Sequence, residues 1–211
     1  MDFTILHFAI HIVWRANVIC TCRKSGIARK TTVAYPELRL IDNNQMTTQL
    51  ARLMRAMIDY DRGDVARIQH FVKVHDFAAT IGVAEHLDED TLFVLEAAAI
   101  LHDIGIHPAE AKYGNCNGKA QEELGPDEAR RTLEDVGGFT DAQTERICWL
   151  IAHHHTYSNV KDADHRILLE ADFLVNSFED SMPLNGIITF RDNVFRSASA
   201  IDMLNSMWGI E

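Results

Sequence analysis

Leu92-Phe93-Val94-Leu95-Glu96-Ala97-Ala98-Ala99-Ile100-Leu101-His102-Asp103 is the stretch whose reading decides the fold. Up to Leu101 it carries a single charge, Glu96, and leaves no polar stripe to face water. A helix apolar on all sides is a buried one. The run therefore predicts a central helix with others packed around it. It ends by delivering an imidazole and a carboxylate side by side into that interior, where unpaired polar groups cost several kcal/mol. A divalent cation satisfies both, because it takes neutral imidazole nitrogen and carboxylate oxygen in one shell. Two more residues stand where such a site needs them: His70 on a preceding amphipathic segment, and Asp172 inside the apolar run over residues 167–175. A lone histidine on an apolar helix is usually a core residue with one hydrogen bond. It is the ordered set, each member on its own predicted helix, that points to metal.

Working outward, residues 46–211 read as helix after helix. Thr47 and Thr48 lead into Leu50, Leu53, Met54, Met57 and Ile58, an apolar stripe at helical spacing. Asp61-Arg62-Gly63 interrupts it, and Asp64 is placed to cap a second helix carrying Ile68, Phe71, Val74, Ala78 and Ile81, with Arg67 and His70 alongside. Asp90 is the expected cap of the buried helix over residues 91–104, and Gly105 its expected left-handed stop. Residues 112–119 read as a polar loop. Gly125-Pro126-Asp127 reads as the start of a helix running to Gly137-Gly138. Thr140 or Asp141 caps another, ending in Ile151-Ala152-His153-His154-His155. A helix through Phe178 follows, then a break at Met182-Pro183-Leu184-Asn185-Gly186, and one last helix carrying Phe190, Val194, Leu204 and Met207. Alternating runs bounded by turn signals are absent, so the predicted fold is all-α, a single helical bundle.

The chain has 211 residues, 47% hydrophobic and 24% charged, which suits one soluble domain with a sizeable core. Its net charge of −11 argues against nucleic acid and anionic membrane surfaces as partners. A phosphate-bearing substrate must instead be drawn in by a bound cation and local basic groups. The charge is uneven: residues 1–45 carry a net of +3 and residues 46–211 a net of −14. Residues 3–14 are apolar apart from Thr4, His7 and His11, but Asp2 precedes them with no basic residue and they are too short to span a bilayer. With no sustained period over residues 15–45, and a capped helix opening after Met46, residues 1–45 read as an N-terminal extension, poorly ordered or not native. Residues 46–211 read as the folded domain. Cys20, Cys22, Cys116 and Cys148 make no disulfide framework, which fits a reducing, cytoplasmic setting.

Taken with Arg67-Ile68-Gln69-His70 and His102-Asp103-Ile104-Gly105, the order His70, His102-Asp103, Asp172 resembles the HD superfamily of metal-dependent phosphohydrolases over residues 64–176. Lys112-Tyr113-Gly114, His154-His155-Thr156-Tyr157 and Glu170-Ala171-Asp172-Phe173-Leu174-Val175-Asn176 are similar to a small subgroup of HD hydrolases, over nearly all of residues 46–211. The resemblance implies an HD-type bundle with metal held by His70, His102, Asp103 and Asp172. It implies hydrolysis of a phosphoester in a small phosphorylated compound, a nucleotide among the options, by metal-activated water. His102, Asp103 and His154 would form the catalytic core. One or two divalent ions are implied, and a mixed nitrogen and oxygen shell suits Mn, Fe, Co, Ni, Zn or Mg.

Consecutive helical residues point about 100° apart, so His153, His154 and His155 cannot all face one ion. The Ile151-x-x-His154 spacing resembles the segment that supplies a further histidine in two-metal members. His154 is thus the first choice for a second ion or for phosphate, with His153 and His155 behind it. Arg67 and Lys112 are candidate substrate contacts, Lys112 from a loop whose Gly114 and Gly118 free the backbone to approach an anion. For Arg67, pairing with a neighbouring acid is the competing reading. His75, His86, His107 and His165 read as boundary or peripheral residues.

Two departures from the family pattern stand out. Two-metal members often carry another histidine where this chain reads Gln121-Glu122-Glu123-Leu124-Gly125-Pro126, leaving Glu122 or Glu123 as a substitute oxygen ligand or a capping acid. Cyclic-dinucleotide phosphodiesterases of the HD-GYP type have Lys where this chain has Ile106, and the Gly-Tyr-Pro string is absent. Cyclic dinucleotides are therefore disfavoured. Two alternatives stay open at this point: a di-iron oxygenase on the HD fold, which needs more ligands than the five offered here, and a non-catalytic nucleotide-binding sensor.

Overall fold

Helix α3 (Glu89–Leu101) is the axis around which the others are laid. In the computed structural model, which describes residues 40–211 with side chains from Thr47 onward, Phe93, Val94, Leu95 and every residue of the run 97–101 are buried. The helix packs against α1 (Leu40–Tyr60), α2 (Val65–Ala84), α6 (Asp141–Ile151) and α7 (Ala163–Glu179). The described chain is completed by α4 (Ile106–Tyr113), α5 (Gly118–Val136), α8 (Leu184–Val194) and α9 (Ala198–Trp208), so the described residues hold nine helices and no strand. The expected all-α bundle is what forms. Full burial of side chains such as Phe71, Leu95, Ile100 and Leu174 contributes about 1.5–3 kcal/mol each. Glu96, the one charge of the central run, is met by His75 Nε2 at 3.0 Å. The stretch Glu89–Tyr113 is long and apolar enough to cross a membrane by length and composition, but it lies mostly inside the bundle, as a core helix does.

Several boundaries differ from those the sequence predicts. α1 starts at Leu40, ahead of Met46, so residues 40–45 belong to a helix. The reading of residues 1–39 as an extension, with the apolar segment 3–14 and Cys20 and Cys22, lies outside the described residues. Asp88 rather than Asp90 caps α3: its Oδ1 accepts the Thr91 N–H at 3.0 Å and its Oδ2 accepts the Thr91 hydroxyl at 2.8 Å. Part of the expected polar loop is helical, because α4 runs through Lys112 and Tyr113 before Gly114 closes it at φ +69°. Asn117 then caps α5, accepting the Ala120 N–H at 3.1 Å. With that start signal satisfied, α5 continues through Gly125-Pro126 and forgoes the one hydrogen bond that proline cannot donate.

Gly105 is right-handed (φ −72°, ψ −9°), not the left-handed stop expected of it. A Cβ there would lie 2.7 Å from the Gln121 carbonyl oxygen and 2.8 Å from the Gly125 nitrogen. Glycine serves close approach here, not turn geometry. On the other side, a Cβ on Gly125 would meet Ile151 Cγ2 at 2.8 Å. The turn after α3, the middle of α5 and the end of α6 are thus pressed together with no side chain between the backbones of the first two. Finally, the single last helix is two. The buried Glu170 carboxylate accepts the N–H groups of Arg196 and Ser197 at 2.6 and 3.0 Å, and the chain is extended at Phe195 between α8 and α9.

Candidate metal centre

Five side chains from four separate places converge. His70 comes from the middle of α2, His102 and Asp103 from the turn closing α3, His154 from the turn after α6, and Asp172 from the middle of α7. His102 and His154 are fully buried, and His70 and Asp172 nearly so. His70 Nε2 lies 3.1 Å from His102 Nε2 and 3.3 Å from Asp172 Oδ1. His102 Nε2 lies 3.5 Å from Asp172 Oδ1, and Asp103 Oδ2 is 3.6 Å from both imidazole nitrogens. The other Asp103 oxygen, Oδ1, is 3.1 Å from His154 Nε2.

The outer nitrogen of each ring explains this inward arrangement. His102 Nδ1 is 2.9 Å from the Ala99 carbonyl and His154 Nδ1 is 2.6 Å from the Ile151 carbonyl. A carbonyl oxygen only accepts, so each Nδ1 carries the proton and donates. His70 Nδ1 donates likewise to Glu179 Oε2 at 2.8 Å. In the neutral form each ring therefore turns an Nε2 lone pair toward the centre. In that form two lone pairs face each other at 3.1 Å with two carboxylates beside them, an arrangement held together only by an added proton or a cation. That donor set fits a divalent cation, and the carbonyl and carboxylate behind each ring are the outer partners that metal-bound histidines use.

Charge follows the same plan. Burial works to raise the Asp103 carboxyl, but the charge of His102 and the hydrogen bond to His154 hold it down at about 2. Burial likewise opposes ionisation of Asp172, and His102 and His70 together take it well below the usual carboxylate range. Burial lowers His70, yet the bond to Asp172 and the charges of Asp172 and Asp103 lift it to about 9. His154 is raised by Asp103 against the same desolvation. The cluster as a whole attracts positive charge.

His155 joins it from the far side. Asp103, His154 and His155 present ligand atoms within 4.8 Å of one another, as do His70, His102 and Asp103. Asp103 is common to both groups. His155 is pushed down to about 4, first by burial and then by the charge of His154. Its backbone N–H and the Thr156 hydroxyl are accepted by Glu122 Oε1 at 3.0 and 2.8 Å. Glu122 thus anchors this turn and is neither a substitute ligand nor an exposed cap. Glu123 pairs instead with Lys112 and Tyr113 on the surface.

Other predicted site residues are placed differently. His153 turns away, donating to the Trp149 carbonyl at 2.7 Å and stacking on the Trp149 ring. Lys112 is exposed and bound to Glu123 at 3.1 Å. Its helix ends at Gly114, so it rides on α4 rather than on a loop free to close over an anion. Arg67 pairs with acids, Glu110 at 3.3 Å and Asp64 at 3.6 Å, yet it also lines a cleft of about 530 Å³ that reaches His70 and Asp103. Lys73, Asn176 and Glu179 line the same cleft. His165, expected at the periphery, is buried with Nε2 bound to the His153 carbonyl at 2.9 Å. Sequence reading missed Asn176 and Glu179, although they lie four and seven residues beyond Asp172 on one helical face. Asn176 donates to Asp172 Oδ1 at 2.8 Å.

A helical bundle that gathers imidazoles and carboxylates able to hold a divalent ion defines the class. Residues 67–188 match the family model of the HD domain, and the chain belongs to the HD domain family. The fold is similar to that of a predicted HD superfamily hydrolase from an uncultured Thermotogales bacterium. The two share 21% identity, with 80% of this chain and 92% of that one covered and a TM-score of 0.57. Among curated proteins none matches the chain.

Proposed function

We propose that this protein is a metal-dependent phosphohydrolase acting on a phosphoester of a small phosphorylated compound. The observation that carries the reading is the convergence of Nε2 lone pairs from His70, His102 and His154 on the carboxylates of Asp103 and Asp172. The solved relative's description as a hydrolase agrees with it. His70, His102, Asp103 and Asp172 would hold one divalent ion; Asp103, His154 and His155 would hold a second. Such ions, when bound, activate water and neutralise charge on a phosphoryl group. The chain's own part is to orient. Asp103 joins the two groups, and burial of His102 and His154 excludes bulk solvent from the cluster. Arg67 and Lys73 stand on the cleft wall, each paired with a carboxylate, so the bound ions would supply most of the attraction for an anionic substrate of a chain of net charge −11.

The test is metal analysis of the purified protein followed by a panel of phosphorylated metabolites, sugar phosphates and nucleotides included. Ion-dependent release of phosphate from at least one member is expected. A protein that takes up no divalent ion, or that holds ions and cleaves no phosphoester, overturns the reading. A second reading gains from one observation: His155 brings the converging donors to six, the number a di-iron oxygenase calls for. Tightly held iron with an oxygen-dependent colour change, and no phosphatase activity, would favour it.

A further inference from the structure

Glu179 is the last residue of α7, a helix with no basic residue in its final turn. An anion there faces the negative pole of its own helix, an unfavourable place unless other groups hold it. Two do. His70 Nδ1 donates to Glu179 Oε2 at 2.8 Å, and the Lys73 ammonium, one turn along α2 from His70, donates to Oε1. The glutamate side chain is 29% exposed and the lysine 41% exposed, whereas the imidazole between them and the cluster is 9% exposed. The bridge runs from the cleft wall to the buried ring.

We propose that Glu179 is a positioning residue for His70, and that Lys73 acts through it by fixing the second carboxylate oxygen. The inference rests on the reading of His70 as a metal ligand. His102 and His154 have main-chain carbonyls behind them, and these come with the helix that carries the ring. His70 sits in mid-helix, where its neighbouring carbonyls are already engaged in helical bonds. Its proton must be taken by a side chain from elsewhere, and α7 supplies it. With Glu179 gone, the ring is free to rotate or change tautomer, and its Nε2 lone pair no longer has a fixed aim. With Lys73 gone, Glu179 keeps one tie of two.

The experiment compares Mn²⁺ affinity, by competition with a chelator, in the unaltered 211-residue chain and in the E179A, E179Q, K73M and E179A/K73M variants. Thermal stability is read in parallel. E179A is expected to weaken Mn²⁺ binding by about 10–100-fold. E179Q, which keeps an acceptor oxygen at the same place, should recover most of that loss. K73M should weaken binding less than E179A, and the double variant no more than E179A alone, because one residue works through the other. If E179A and E179Q both bind Mn²⁺ as the unaltered protein does, the assignment to Glu179 is overturned while the metal site stands. Additive losses in the double variant overturn the role given to Lys73. A protein that binds no Mn²⁺, Fe²⁺, Zn²⁺ or Mg²⁺ before any substitution overturns the functional reading itself.

Discussion

The two donor groups that meet at Asp103 are built of different material. In the first, His70 and Asp172 stand in the middle of long helices, and Glu179 and Asn176 hold them from behind. In the second, His154 and His155 lie in the turn after α6. The His155 ring packs on the His154 ring and is held to the rest of the molecule by a long 3.4 Å hydrogen bond to Gln121, and the turn is tied to α5 through Glu122. Helix packing fixes one group, and side chains reaching a turn fix the other: Glu122 from α5, and His165 from α7 against the His153 carbonyl. The difference teaches that a shared ligand does not imply equal grip: the first group is expected to bind an ion tightly, the second to bind one that exchanges.

The largest effect that breaks this comparison is removal of what the groups share. Asp103→Ala should bring metal content and turnover to background together, measured by elemental analysis and phosphate release. His154→Ala should separate the groups, dropping a two-ion stoichiometry to one while the first ion stays. If His154 instead orients substrate, stoichiometry holds and kcat/KM alone falls, by about 10²–10⁴. Glu122→Ala removes the tie of the turn to α5 and should weaken the second ion by roughly tenfold, leaving the first unchanged in a titration. An equal loss at both steps would show that the turn is not the weaker half.

The smallest effect comes from a place outside both groups and tests whether stability alone moves metal binding. Glu85, at the end of α2, accepts the Ser199 N–H at 2.9 Å and its hydroxyl at 2.7 Å, which lowers its carboxyl below the ordinary glutamate range. A carboxyl depressed in the folded state stabilises above its unfolded pKa, and the gain is lost as pH falls through the folded value. Glu85→Gln should therefore lower Tm slightly at neutral pH, solvent screening keeping the effect small, with the gap to the unaltered protein closing in acid. Ion stoichiometry should not change.

What the sequence made legible was what burial dictates. An apolar run with His102-Asp103 at its end announced both the central helix and the donors it delivers, and Asp172 showed itself by interrupting a second such run. His155 was less legible, because its approach to Asp103 depends on how the turn after α6 is tied to a helix some thirty residues earlier. The break between α8 and α9 has the same origin, since Glu170 reaches forward 26 and 27 residues to take two N–H groups that a helix would otherwise use. Gly125-Pro126 misled for a local reason. Both residues are ordinary helix breakers, and only the backbone of Gly105 lying against them gives glycine another purpose.

That contact sets a gauge. Asp103 hangs two residues from Gly105, and His154 three residues from Ile151, with Gly125 wedged between the two glycine-narrow seams. The span between carboxylate and imidazole is thereby set by main chain on one side of Gly125 and by the buried Ile151 side chain on the other. Ions with bonds of about 2.0–2.2 Å are accordingly expected to outcompete calcium, whose bonds run to about 2.3–2.6 Å, and equal affinity in a competition titration would show that the seam sets no gauge.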